Sequence, residues 1–176
     1  GTVTGVQTCA LPISSGAIYV GGRLFGQNND VIVIKYNNAG VQQWEHTLAL
    51  HNGDDILNDM QLDASENIIL CGAAGSSADP ADYDGFVASI NASGTENWVN
   101  YEGGAGIGLE EIVSISIRNN GEIVAIGNKD TDNGLTDSYD VICNVYSTNG
   151  TTTETLNYAT AQSETADDSF LDANGN

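Results

Sequence analysis

The stretch DVIVIKYNNAGVQQWEHTL, Asp30 to Leu48, decides the fold because it returns twice. DGFVASINASGTENWVNY begins at Asp84, and DVICNVYSTNGTTTETLNY begins at Asp140. Aligned on the aspartate, each copy has an apolar run and then a polar turn ending in Gly40, Gly94 or Gly150. Trp44 and Trp98 stand four residues after the first two glycines, and Glu154 takes that place in the third copy. Self-similarity at a fixed long period marks a repeat architecture, in which one supersecondary unit stacks on the next.

A second module alternates with the first. DDILNDMQLDASENIILCG starts at Asp54 and EEIVSISIRNNGEIVAIG at Glu110. GAIYVGG from Gly16 reads as an opening half copy, and SFLDANGN at the end reads as a truncated one. The spacing is 54 residues from Asp30 to Asp84, 56 from Asp84 to Asp140, and 55 from Gly72 to Gly127.

Each unit reads as two β-hairpins. Around Met60 to Leu62 and Ile115 to Ile117, apolar and polar residues alternate, the pattern of a strand with one buried face. DASEN from Asp63 and RNNGE from Arg118 supply the Asn, Asp and Gly that tight turns use for positive φ and side-chain-to-backbone bonds. Ile68 to Cys71 and Ile123 to Ile126 are almost continuously apolar, which predicts strands covered on both faces. The second hairpin holds Val31 to Tyr36, Phe86 to Ile90 or Val141 to Tyr146, a Gly-bearing turn, and the Trp strand. The expected fold is all-β: a partial β-propeller of four-stranded antiparallel blades, with a repeat near 55 residues. The expected boundaries are a partial blade over 15–52, blades over 53–107 and 108–162, and the truncated start of another over 163–176. The recurring Trp is expected to lie over the next blade.

Val3 to Ser14, VTGVQTCALPIS, matches the conceptual translation of a short-read sequencing-library adaptor, so residues 1–14 are set aside from the fold, Cys9 and Pro12 with them. The remaining cysteines, Cys71 and Cys143, lie inside apolar strands and read as buried free thiols. No Cys or His cluster has metal-ligand spacing.

The formal charge is −20. Arg23, Lys35, Arg118 and Lys129 are the basic residues. Such a surface repels phosphate backbones and anionic lipid, which excludes nucleic-acid binding and disfavours membrane surfaces. No apolar run reaches membrane-spanning length.

At these residues the chain resembles the bacterial secreted β-propeller repeat proteins, whose repeats carry an Asp before an apolar strand, a Gly turn and a Trp strand. Gly-x-x-x-Trp in GVQQW and GTENW is also similar to the tryptophan-docking repeat of quinoprotein-like propellers. The resemblance extends from Gly16 onward. It implies export, to the medium or the cell surface, and is nearly silent on activity.

The candidate chemistry is sparse. Asp30, Asp84 and Asp140 read as side chains bonding backbone N–H groups at a strand entrance. The acidic links Asp79 to Asp84 and Lys129 to Gly134 offer Asp130 and Asp132 as weak calcium ligands, but Gly134 falls where a third ligand belongs and no closing Glu follows. His46 and His51 lack a nucleophile motif. The acidic pairs Asp54-Asp55, Glu110-Glu111 and Asp167-Asp168 are read as recurring at the same phase of the repeat, near the blade edge, which suits a structural role more than an acid/base pair. Asn91-Ala92-Ser93 and Asn149-Gly150-Thr151 fit the glycosylation pattern inside turns that want those residues anyway.

These readings lead to a non-catalytic scaffold or binding module of an exported protein, without cofactor, taking a protein or glycan partner. Ser76 to Tyr83 and Asp130 to Tyr139 are the expected contact loops. Two alternatives stand beside it: part of a propeller enzyme (a quinone-dependent dehydrogenase or a glycan-active one) with its site in other blades, and a structural spacer of a surface protein. The apolar inner-strand residues Met60, Leu62, Ile115 and Ile117 argue against an enzyme's charged central site.

Overall fold

A computed structural model describes residues 10–12, 16–103, 108–131, 138–160 and 162–172. The described residues are all-β, in three antiparallel sheets, and no closed barrel or ring forms among them. The first sheet joins β1 (Ala10–Pro12), β2 (Ile18–Leu24), β3 (Asp30–Tyr36) and β4 (Gln42–Leu48). The second joins β5 (Asp55–Leu62), β6 (Ile68–Gly75), β7 (Tyr83–Ile90) and β8 (Glu96–Glu102). The third joins β9 (Glu111–Ile117), β10 (Ile123–Asp130), β11 (Tyr139–Tyr146) and β12 (Thr152–Tyr158). Strands follow chain order in each sheet. Ala10–Pro12, inside the segment set aside by sequence, pairs with Ile18 to Val20 at the edge of the first sheet.

One turn chemistry closes the hairpins. In the β3–β4, β7–β8 and β11–β12 hairpins the Gly40, Gly94 and Gly150 N–H groups each donate 2.9 Å to the carbonyl three residues earlier, of Asn37, Asn91 and Ser147. The three glycines have φ of +75, +87 and +83, the left-handed conformation that costs an L side chain energy. A register shift stands beside each turn, at Lys35/Tyr36, Ser89/Ile90 and Val145/Tyr146. A tight turn with a left-handed glycine and a bulge is the standard three-residue hairpin connection. Asn91 completes its turn by accepting from the N–H groups of Ser93 and Thr95, so this sequon residue is already used by the fold.

The other hairpins use the same device at Gly121, with φ +87, and at Glu66, with φ +62. Glu66 is the one non-glycine residue with positive φ among those described. Glu66→Gly is therefore expected to stabilise the chain by about 0.5–1 kcal/mol, the relief of left-handed strain less the entropy glycine adds to the unfolded chain. A urea melt checks this, and a lower midpoint would contradict it.

The sheets stack face to face. Tyr19, Val31, Val33 and Leu48 of the first sheet meet Met60, Ile68, Leu70, Phe86, Ala88 and Ile90 of the second. From the opposite face of the second sheet, Ile69, Cys71 and Val87 meet Ile112, Ile115, Ile123 and Ala125 of the third. Every residue of β6 is buried. Successive side chains of a strand point to opposite faces, so β6 has to be apolar at each position. The Cys71 side chain is buried and that of Cys143 half-buried.

Each tryptophan reaches across a sheet boundary. The Trp44 Nε1–H donates to the Ala92 carbonyl at 3.1 Å, and the Trp98 Nε1–H donates to the Thr148 carbonyl at 3.3 Å. The rings lie against the turn glycines of the next sheet: a Cβ on Gly94 would sit 2.9 Å from Trp44 Cδ2, and one on Gly150 2.6 Å from Trp98 Cδ2. These turns therefore need glycine twice over, for φ and for room. Trp98 also stacks on Tyr146, with ring centroids 6.3 Å apart.

No helix among the described residues is long and apolar enough to cross a membrane.

Candidate functional site

Strand pairing gathers the sequence's candidates at one end of the sheets. Leu24 faces Asp30, Gly75 faces Tyr83 and Asp130 faces Tyr139, so the links between second and third strands leave from the same end as the sheet-to-sheet crossovers. The hairpin turns lie at the other end. The two kinds of loop meet in a polar rim, bound together by backbone bonds across sheets. The Asp55 N–H donates to the Asn29 carbonyl at 2.6 Å, and the Glu110 N–H donates to the Tyr83 carbonyl at 2.8 Å. The Glu164 N–H repeats the bond to Tyr139 at 2.7 Å.

These bonds correct the register of the acidic pairs. Asp55 corresponds to Glu110, so Asp54-Asp55 and Glu110-Glu111 are one residue out of phase. The reason lies in the strands: Leu57 pairs with Gly72 and Ile112 with Gly127, and the register then shifts in β5 and β9 alike.

The rim's side chains form two groups. At the first joint Asp54 accepts from the Asn29 backbone N–H at 2.9 Å and from its side-chain amide at 2.8 Å. Asp54, then, supplies the backbone bond expected of Asp30. Asp55 is fully buried and accepts from the Leu50 N–H at 3.1 Å. Nearby, Asp84 lies 3.5 Å from His51 Nδ1. His51 stacks on Tyr101, with centroids 4.5 Å apart and planes at 15°, and the Tyr101 hydroxyl donates to the Leu50 carbonyl. Leu50, His51, Asn52, Ser76, Ser77 and Ala78 line a groove beside this pair.

At the second joint Glu110 is buried, and so is Asp130. Asp132 lies outside the described residues. The Asp79 carboxylate accepts from the Ala81 N–H and holds its own loop. Among the described residues no group of three His, Cys, Asp or Glu side chains is placed to hold a metal ion. Asp140 pairs through its backbone with Lys129 in the β10–β11 ladder.

Burial sets the electrostatics. It raises Asp55 to about 6, with the Leu50 N–H opposing and the Asp30 charge adding. Burial raises Glu110 to about 7, with Asp84 and Asp130 adding and Lys129 opposing. Asp84 rises more modestly, its burial opposed by His51.

No protein-family model and no curated protein matches this chain.

The sequence reading missed a polar seam along the inner strands. Met60 and Ile115 are buried between sheets, as their apolarity requires. The residues alternating with them bond the next inner strand or the segment after β12. Asp59 accepts from the Ile115 N–H at 3.0 Å, the Gln61 amide donates to the Ile115 carbonyl at 2.6 Å, and the Ser114 hydroxyl donates to Asp168 at 2.9 Å. The signal was present as Asp-x-Gln and Ser-x-Ser at the same repeat position. Its meaning depends on a neighbour about one repeat away.

Proposed function

We propose that the chain is part of a propeller-type array of an exported protein and serves as a non-catalytic binding module that presents its rim loops to a glycan or protein partner. The observation that supports this most is the repeated joint: Trp44 on the Gly94 turn and Trp98 on the Gly150 turn relate successive sheets in the same way. The Gly40 turn has the same backbone, yet nothing lies within 4 Å of its Cβ position among the described residues. A sheet whose Trp docks there continues the array. Regular strands carrying dissimilar loops on one rim are how repeat arrays vary their ligands without disturbing the scaffold.

On this reading the chain's first contact surface is the groove beside His51 and Tyr101. The test is a glycan array probed with the whole chain, followed by the His51→Ala and Tyr101→Ala variants. Retention of a defined glycan, weakened at least about tenfold by either variant, is the expected result, the scale of losing one aromatic anchor. Retention indifferent to both variants removes the rim from the proposal. Conversion of a bound glycan to product removes the non-catalytic reading.

A further inference from the structure

We propose that Asp55 and Glu110 make the two sheet-to-sheet joints acid-tightened, so that the rim loops are held more firmly as the pH falls below neutral. Two buried carboxylates occupy the same repeat position, one at each joint. Asp55 is 0% exposed and Glu110 is 7% exposed. In both residues the backbone N–H makes the bond to the preceding sheet, at Asn29 and at Tyr83. The side chain therefore sits at the point where one sheet is fastened to the next.

The charges around them do not compensate. Asp30 and His51 face Asp55, with Asp54 adjacent in the chain, and His51 already has Asp84 against its Nδ1. Asp82, Asp84, Asp130 and the exposed Lys129 face Glu110. Elsewhere, Arg118 pairs with Glu122, and Lys35 donates to the Ala92 carbonyl. A buried carboxylate without a cation is costly when ionised and takes up a proton instead. Each joint can thus be neutral and tight, or charged and strained.

The sign follows from linkage. A carboxyl group whose folded-state affinity for the proton exceeds its unfolded one favours the folded state most at low pH. That contribution is complete below the ordinary carboxyl range and is lost as the pH rises through about 6 at Asp55 and about 7 at Glu110.

The experiment is a carbon-detected NMR titration of the side-chain carboxyls in the whole chain, paired with urea melts. Asp55 and Glu110 are expected to titrate well above the other carboxylates. The unfolding constant is expected to rise at least about a hundredfold between about pH 5 and about pH 8. Asp55→Asn combined with Glu110→Gln should raise the urea midpoint at pH 8 and remove most of that pH dependence. General repulsion within a chain of charge −20 has the same sign, but it is screened by salt and survives the substitutions. An unchanged pH dependence in the double variant overturns the proposal. So does titration of both groups in the ordinary carboxyl range, which the unmodified chain reports even if the variant does not fold.

Discussion

Gly72→Ala is expected to destabilise this chain more than any other single substitution considered, and Gly127→Ala to do the same one repeat later. A Cβ on Gly72 would lie 1.8 Å from the Ile56 carbonyl oxygen, and one on Gly127 would lie 2.0 Å from that of Glu111. These are backbone atoms of the neighbouring strand, so no rotamer change relieves the contact. The cause is the irregularity in β5 and β9, where the pairing shifts between Leu57 and Asp59 and, on the partner strand, between Ile126 and Gly127. The neighbouring strand is brought close to its partner there, and a glycine inside a strand marks such a close approach. Phe86 Cε1 closes the other side at Gly72, 2.9 Å from the added carbon. The strands must separate, which costs at least about 3 kcal/mol and opens both hydrophobic interfaces of the second sheet. Far-UV circular dichroism and a urea melt check this. A midpoint equal to that of the unchanged chain would show that the two strands are not held together as described.

Trp98→Ala is expected to cost about 2–3 kcal/mol, below the range for a wholly buried tryptophan because the ring is only half-buried. The loss combines the ring's contact with the Gly150 turn, its stack on Tyr146 and the bond to the Thr148 carbonyl. Trp98→Phe keeps most of the apolar surface and loses the bond, so about 1 kcal/mol of the total should remain as its cost. Gly150→Ala strikes the same contact from the other side. The two substitutions should then be strongly non-additive, with a coupling of about 1 kcal/mol or more in a double-mutant cycle. Additive effects would mean that ring and turn do not meet.

The elements that repeat were the ones legible in the sequence. The turn glycines Gly40, Gly94, Gly121 and Gly150 announced hairpins because positive φ leaves few other choices. The unbroken apolar run through Ile68 to Cys71 announced a strand covered on both faces because no polar residue is tolerated there. The acidic pairs were harder. DDI and EEI match as text, yet the chain places Asp55 with Glu110, and a slip of one residue reverses which face each side chain occupies. Gly72 and Gly127 fix the true register, but only once the pairing is known. Asp59, Gln61, Ser114 and Ser116 looked like the solvent side of an alternating strand. Their partners lie on the next inner strand and in the segment after β12, and nothing local in the sequence shows a contact made across a whole repeat. The stacked pair of His51 and Tyr101 was hidden for the same reason, since 50 positions separate its members.

Sheet stacking through the tryptophans is what the rest depends on, and proton NMR measures it directly. The indole protons of Trp44 should show cross-relaxation to the α-protons of Gly94, and those of Trp98 to the α-protons of Gly150, with the glycine α-protons moved upfield by the ring above them. Indoles that relax only with their own sheets, with both glycines at ordinary shifts, would contradict the stacked array.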